Sequence, residues 1–183
     1  MVNPSFPSAL AELATALDDA GVRFALCGAL ATVAYGIPRA TFDCDLVVGA
    51  TIVRLVGLGH TLASGWYTEP ACADPAVLVH RGSGIKFDLY PAVEGEFETA
   101  QLDRARPMPI HDRTVPVISA EDILLANLRW CANGGAMADY HWNDAVGVIV
   151  ISGPLDTAYL QHWAARLGVT DLLEKAQADA ALD

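Results

Sequence analysis

Two aspartates stand on either side of one cysteine in the segment Phe42-Asp43-Cys44-Asp45-Leu46. In an extended strand, successive side chains point to opposite faces, so Asp43 and Asp45 would share one face. Two like charges this close repel each other, and a divalent cation between them would turn the repulsion into coordination. The segment therefore predicts either a magnesium site or an exposed strand end with two solvated carboxylates.

A third carboxylate, Asp88, is predicted on a later strand among apolar neighbours. The segments Ala76–His80 and Gly84–Tyr90 are predicted to form a hairpin, and in its second arm Lys86, Asp88 and Tyr90 share one face. An unpaired carboxylate in apolar surroundings is costly, so Asp88 requires a partner of positive charge. That partner is either a bound cation or Lys86 on the same face.

A glycine follows the first predicted strand of the chain. The apolar run Val22–Cys27 is predicted to be a buried strand, and Gly28 separates it from a predicted helix over residues 29–35. Glycine lets a backbone approach a ligand closely, and the start of a helix offers free N–H groups to a phosphate. Most turns of this kind are only connections, so this turn alone does not indicate a phosphate site.

The remaining patterns divide the chain into an α/β half, residues 1–118, and a helical half, residues 119–183. In the first half we predict helices over 5–20 and 52–63 and strands over 41–48 and 115–118. In the second half a capping-box pattern at Ser119 opens the first of four predicted helices. The predicted fold class is α/β (α+β), a small mixed sheet with flanking helices followed by a C-terminal helical bundle.

The bulk composition favours a compact protein without a broad nucleic-acid-binding face. Of 183 residues, 53% are hydrophobic and 18% are charged, which allows a sizeable core. The net charge of −11 disfavours non-specific binding to nucleic acid, which depends on neutralising phosphates. The sequence shows neither a signal-peptide pattern nor an apolar run of about 18 residues, so a cytoplasmic location away from the membrane is predicted.

Several polar and aromatic residues are predicted to have structural roles only. The dispersed cysteines are expected to be free thiols: Cys27, Cys44, Cys72 and Cys131. Aromatic residues at helical spacing are expected to pack in the core: Trp130, Trp142, Tyr159 and Trp163. Asp139 and Asp144 are expected to be a helix cap and a surface charge. A local basic cluster is expected to be a solvated loop rather than a substrate groove: Arg104, Arg106, His111 and Arg113.

The order of these motifs resembles the nucleotidyltransferase superfamily, and within it the AbiEii-like and related uncharacterised bacterial branches. The resemblance begins at Cys27-Gly28-Ala29-Leu30-Ala31 and continues through Tyr35-Gly36-Ile37-Pro38-Arg39-Ala40-Thr41 to Asp43-Cys44-Asp45. It resumes at Lys86-Phe87-Asp88-Leu89 and runs through the helical half, so it covers nearly the whole chain. The combination is specific to the superfamily and much less so to any substrate.

The resemblance implies a magnesium-dependent catalytic site. Asp43, Asp45 and Asp88 would hold two Mg²⁺ ions around a nucleoside triphosphate, with Asp88 also able to act as a base toward the acceptor hydroxyl. Gly28 and Ala29 would cradle the β- and γ-phosphates. The implied reaction moves a nucleoside monophosphate to a hydroxyl of a tRNA, a protein or a small molecule and releases pyrophosphate. A toxin–antitoxin or defence setting, with a partner antitoxin protein, is implied by the resemblance alone.

Two departures from the family pattern leave a second interpretation open. The resemblance implies that Arg39 stabilises the departing pyrophosphate, and the alternative is a surface cation paired with an acidic neighbour. Relatives typically carry Gly or Ser where this chain has Ala29, and Lys where it has Asn127. The alternative to an active transferase is therefore a catalytically weak or inactive nucleotide-binding or antitoxin-like interaction module with the same fold.

Overall fold

The computed structural model describes residues 6–41, 43–62, 64–68, 75–93, 95–110 and 113–182. Within these ranges the chain forms eight helices and seven strands. In chain order they are α1 Phe6–Asp19, β1 Phe24–Cys27, α2 Gly28–Ala34, β2 Asp43–Val48, α3 Ile52–Thr61, β3 Trp66–Thr68, β4 Ala76–His80, β5 Ile85–Pro91, α4 Glu96–Arg104, β6 Arg106–Ile110, β7 Arg113–Val117, α5 Ala120–Asn133, α6 Ala138–Ile151, α7 Thr157–Leu167 and α8 Thr170–Ala180. None of the helices in the described ranges is long and apolar enough to cross a bilayer.

The chain divides into two compact units. The first comprises Met1–Leu30 and Ala40–Ile118 and contains all of the sheet. The second comprises Ser119–Asp183, which carries helices α5 to α8, together with the segment Ala31–Arg39. The predicted α/β class with a mixed sheet and flanking helices is confirmed.

The sheet of the first unit has seven strands in the order β3-β4-β5-β2-β1-β7-β6. The pairs β2–β5 and β1–β7 are parallel, and the other neighbours are antiparallel, so the sheet is mixed. Leu26, Leu46 and Leu89 lie on one face of three adjacent strands and are fully buried. Because side chains alternate along a strand, that apolar face leaves the neighbouring positions for the opposite face, where the carboxylates lie.

The predicted hairpin is present as β4 and β5, and three further elements were not predicted. Strand β3 has three residues, too few for a period to be visible, and α4 is a weakly apolar helix. Strand β6 contains Pro107 and Pro109, which a central strand does not tolerate. The structure accommodates both prolines because β6 lies at the edge of the sheet.

Buried carboxylates at the start of α5 connect this helix to α7 in the second unit. Ser119 caps the helix through the Asp122 N–H and donates its hydroxyl to Asp122 Oδ2 at 2.6 Å. The Tyr159 hydroxyl donates to Asp122 Oδ1 at 2.6 Å, which links α5 to α7. Glu121 Oε1 accepts the backbone N–H of Asp156, the residue that caps α7, at 2.9 Å. The capping box predicted at Ser119 thus also connects two helices.

Two glycines in α3 weaken the helical pattern of the sequence, and one of them has a packing role. Gly59 is buried, and a Cβ there would lie 2.7 Å from Leu78 Cδ2 of strand β4. Gly57, two residues earlier, is exposed, and a Cβ added there would have no other atom within 4 Å. The close approach of α3 to the sheet therefore requires glycine at only one of these two positions.

We expect Gly59→Ala to destabilise the protein and Gly57→Ala to leave it unchanged or more stable. The methyl group at position 59 overpacks the contact with Leu78, at a cost of about 1–3 kcal/mol. The same group at position 57 enters open space and raises helix propensity, a gain of up to about 1 kcal/mol. Urea denaturation of both variants measures the difference, and equal stabilities would contradict the packing assigned to Gly59.

Candidate active site

The predicted carboxylates meet on two adjacent parallel strands. In the register of β2 and β5, Asp45 lies directly opposite Asp88, and Asp43 lies opposite Lys86. Paired residues in adjacent strands point to the same face, so these four side chains form one charged patch. We call these four residues the acidic face, since three of them are aspartates.

The carboxylates of this face differ in their surroundings. The Asp43 side chain is 42% exposed, and its Oδ1 accepts a hydrogen bond of 2.5 Å from the Thr41 hydroxyl. The Asp88 side chain is only 9% exposed, and its buried Oδ1 has no hydrogen-bond partner. A buried carboxylate oxygen without a partner carries a desolvation cost that a bound cation would remove.

Lys86 is the partner already present on the acidic face. Its Nζ lies 2.7 Å from Asp88 Oδ2 and 3.9 Å from Asp43 Oδ2. The hydrogen bond to Asp88 is the main cause that raises the pKa of the Lys86 ammonium above its ordinary value. The pairing that strand alternation left open is therefore observed, and Lys86 is part of the site although the predicted set of site residues did not include it.

Two neutral groups border the acidic face, and its negative charge contributes to raising the pKa of each. Cys27 lies opposite Asp45 across β1 and β2, and burial followed by the Asp45 charge raises the pKa of its thiol well above the ordinary value. Burial and then the Asp45 charge also raise the pKa of Tyr90. Both groups keep their protons at neutral pH, so the surroundings of the carboxylates favour added positive charge. The alternation of side chains along β5 predicts from the sequence that Tyr90 shares a face with Asp88. The position of Cys27 opposite Asp45 is known only from the strand register in the structure.

Gly28 packs directly against one of the carboxylates. Its φ of +60° is in the left-handed region, and a Cβ at this position would lie 2.7 Å from Asp45 Cγ and 2.9 Å from Asp45 Cβ. Only glycine satisfies both the conformation and the close approach. The next residue, Ala29, is buried. The glycine turn that the sequence singled out thus determines where the Asp45 side chain lies.

The donor set of the acidic face fits Mg²⁺, although no metal cluster is preformed. Among the residues that the structure describes, no three His, Cys, Asp or Glu side chains are gathered around a common point. The oxygens of Asp43, Asp45 and Asp88 are hard ligands of the kind that Mg²⁺ prefers, and it uses few of them because it keeps water or phosphate oxygens. The buried Asp88 Oδ1 is an oxygen of the same kind and has no hydrogen-bond partner in the protein.

Arg39, predicted to lie at the phosphates, forms an ion pair within the second unit. Its guanidinium donates to Asp144 Oδ2, and the two side chains are 16% and 7% exposed. The expectation that Asp144 is a surface charge is wrong, because this aspartate is buried on α6 and neutralised by Arg39. A phosphate role for Arg39 stays a prediction.

Asn127, at the position where the resemblance implies a lysine, makes its polar contacts inside the second unit. Its Nδ2 donates to the Ile123 carbonyl at 3.0 Å, and its Oδ1 lies 2.8 Å from His141 Nδ1. Burial and then the charge of Arg39 lower the pKa of His141. A neutral His141 with its proton on Nδ1 donates to Asn127, which assigns both polar groups of the asparagine.

Trp130 differs from its expected role as a core residue. It stacks on His141 with ring centroids 5.8 Å apart, yet it is 47% exposed. Trp163, by contrast, is buried as expected. Cys72 and His111, which were assigned to the free thiols and to the basic cluster, lie outside the described residues. In that cluster Arg113 donates to the Ala11 carbonyl at 2.8 Å.

Comparison with solved structures finds chains of the same architecture. A crystal structure of an antigenic nucleotidyltransferase-like protein from Paracoccidioides brasiliensis matches with a TM-score of 0.63 and 19% identity, covering 92% of this chain and 89% of that one. The chain has the nucleotidyltransferase fold. No protein-family model matches the sequence, and no curated protein is significantly similar to it.

Two further solved structures of this fold contain an antibiotic or an adenylylated antibiotic. ANT(2″)-Ia in complex with adenylyl-2″-tobramycin matches with a TM-score of 0.63 and 16% identity, covering 87% of this chain and 94% of that one. The lincosamide antibiotic adenylyltransferase LnuA, bound to lincomycin, matches with a TM-score of 0.53 and 19% identity, covering 81% and 99%. At these identities the likeness establishes the fold alone, and the AbiEii-like branch stays a prediction.

We expect Gly28→Ala to cost more stability than Gly21→Ala, although both residues have a left-handed φ. Gly21 has φ +62° and nothing within 4 Å of a Cβ position, so alanine there introduces only the backbone strain, about 1–2 kcal/mol. At Gly28 the methyl group also displaces Asp45, which adds about 1–3 kcal/mol. Urea denaturation measures both, and equal losses would contradict the contact between Gly28 and Asp45.

We expect His141 to make the protein less stable in acid. Its folded-state pKa lies below the ordinary value of 6.5, so the unfolded chain binds the proton more readily. The free energy of unfolding should therefore fall as the pH drops below 6.5 and through the lower folded-state pKa. Urea denaturation at pH 7.5 and 5.5 should show a smaller loss for His141→Gln than for the wild type. Exposed His162 provides the control, and His162→Gln should behave as the wild type does.

Proposed function

We propose that the protein is a Mg²⁺-dependent nucleotidyltransferase that moves a nucleoside monophosphate from a nucleoside triphosphate to an acceptor hydroxyl. The observation that supports this most is the buried Asp88 Oδ1, which has no hydrogen-bond partner. The strand register sets Asp88 directly opposite Asp45. Most buried polar side-chain atoms have a hydrogen-bond partner, so an unsatisfied buried carboxylate oxygen requires an explanation. The nucleotidyltransferase fold provides the second line of support.

In the proposed reaction, Asp43, Asp45 and Asp88 would hold the metal, and Gly28 with Ala29 would bind the β- and γ-phosphates. When bound there, Mg²⁺ would supply positive charge to neutralise the triphosphate and polarise the reacting oxygens. The acceptor oxygen forms a bond to the α-phosphorus, and the bond from that phosphorus to the bridging oxygen of the β-phosphate breaks. Pyrophosphate leaves with the electron pair, and Asp88 accepts the proton of the hydroxyl.

Among the acceptors that the resemblance leaves open, we favour a small molecule over a tRNA or a protein. The net charge of −11 opposes docking of a polyanionic RNA. Two proteins of the same fold, which carry adenylyl-tobramycin and lincomycin in their crystals, have small hydroxylated molecules as ligands. A defence or toxin–antitoxin setting belongs to this proposal on the resemblance alone.

A second candidate function is a nucleotide-binding or antitoxin-like module with little or no activity. Two residues favour this function. The resemblance implies that Arg39 contacts the phosphates, and it implies a lysine for the same purpose at the position of Asn127. Arg39 is paired with Asp144, and both polar groups of Asn127 are engaged by Ile123 and His141. Such a module would bind a nucleotide without transferring it.

We expect Asp45→Asn to weaken magnesium-dependent nucleotide binding without unfolding the protein. Isothermal titration of the wild type with ATP, GTP, CTP and UTP should show binding of at least one of them in Mg²⁺ and much weaker binding in EDTA. Asp45→Asn should weaken that binding at least about tenfold, which corresponds to about 1.4 kcal/mol. No magnesium-dependent binding of any of the four to the wild type would rule out the transferase.

The matched control is Asp103→Asn, which removes a carboxylate of the first unit from an exposed ion pair with Arg23. Its nucleotide binding should equal that of the wild type, because exposed ion pairs contribute little. Incubation with labelled nucleotide and a cell extract then separates the two candidate functions. Label in the low-molecular-mass fraction supports a small acceptor, whereas binding without any labelled product supports the inactive module.

A further inference from the structure

The ammonium of Lys86 lies on the acidic face where the proposed metal would bind. Its Nζ is within 4.0 Å of oxygens from both Asp43 and Asp88, at 3.9 and 2.7 Å. These carboxylates come from two different strands, and Lys86 is the cation that connects them. A second cation close to the same oxygens would be repelled by this ammonium, so the two cannot both be held tightly.

The pairing with Lys86 satisfies the acidic face only in part. The ammonium contacts Asp88 Oδ2, while the buried Asp88 Oδ1 has no hydrogen-bond partner. An ammonium is a single compact charge, whereas the patch contains three carboxylates. The arrangement therefore stabilises the protein without a metal and still leaves it with a net demand for positive charge.

The Lys86 side chain is able to leave this position at modest cost. It is 45% exposed, in contrast to the 9% of its partner Asp88, so its ammonium reaches water by rotation about the bonds of its stem. A lysine released in this way is fully solvated, and Asp88 stays behind with both oxygens available. The exposure of one partner and the burial of the other make the pair suited to exchange rather than to permanent bonding.

We propose that Lys86 is a tethered counterion that occupies the acidic face in the absence of metal and is displaced when Mg²⁺ binds. Lys86 would then be a positioning residue that lowers the affinity for Mg²⁺ and keeps Asp43 and Asp88 from separating in the metal-free protein. This inference rests on the proposed function, because it concerns the cation that the proposed site takes.

The test is isothermal titration of Mg²⁺ into the metal-free protein and into Lys86→Met, which keeps an apolar stem and removes the charge. The variant should bind Mg²⁺ roughly 5- to 150-fold more tightly, the range of a typical coupling between two ligands. Its melting temperature in EDTA should be lower than that of the wild type, and Mg²⁺ should raise it by more. Equal or weaker Mg²⁺ binding by Lys86→Met would overturn the proposal.

The sequence provides a matched control, because Lys175 is the other of its two lysines. It lies in the second unit, over the ring of Trp142 at 4.6 Å. Lys175→Met removes the same charge from the chain, so its Mg²⁺ affinity should equal that of the wild type. A similar tightening in both variants would show an effect of net charge and would contradict a local exchange.

A measurement on the wild type covers the case in which Lys86→Met does not fold. With lysine labelled by ¹³C, the spectrum contains two Cε signals, and Mg²⁺ should shift that of Lys86 while leaving that of Lys175 in place. Mg²⁺ binding without a shift of the Lys86 signal would overturn the exchange and leave the proposed function intact. Absence of Mg²⁺ binding in every form, with or without nucleotide, would overturn both.

Discussion

The parallel pairing of β2 with β5 is the constraint on which the candidate site depends. It sets Asp45 opposite Asp88 and Asp43 opposite Lys86, and a shift by one residue would send one set of side chains to the opposite, apolar face. That face is fixed by fully buried residues such as Leu46 and Leu89, which cannot turn toward water without losing the core. The apolar side of the sheet therefore enforces the charged side, and the like charges are held together by hydrophobic burial.

The crowding of charge has consequences around the strands. Gly28 gives the Asp45 side chain its place by having no Cβ, and Lys86 offsets the repulsion between Asp43 and Asp88. The thiol of Cys27 remains protonated in this field. A patch that is compensated only in part, with a buried oxygen left over, differs from a structural ion pair in which every polar atom is satisfied.

Much of this arrangement was predictable from local patterns. Alternation placed Asp43 with Asp45 and Lys86 with Asp88, because the period of a strand is a property of the sequence itself. The direct opposition of Asp45 and Asp88 could not be predicted from the sequence. Strands β3 and β4 lie between β2 and β5 along the chain, and no local pattern encodes the pairing of distant strands. Strand β6 was not predicted because its two prolines are acceptable only at the edge of a sheet, and the sequence alone does not show which strand lies at the edge.

The burial of Asp144 shows a second limit of such reasoning. Because α6 has only a weak apolar stripe, the sequence predicts that Asp144 is exposed. Its burial is stabilised by the ion pair with Arg39, which is distant in the sequence. Removing the arginine from this pair would leave a buried, unpaired carboxylate, so Arg39 is not readily available to another anion. With Asn127 also committed, neutralisation of a triphosphate in the proposed reaction would depend mainly on the metal of the acidic face. The proposed exchange of Lys86 for Mg²⁺ would therefore affect nucleotide binding directly. The same carboxylates would control both the stability of the metal-free protein and its affinity for the nucleotide.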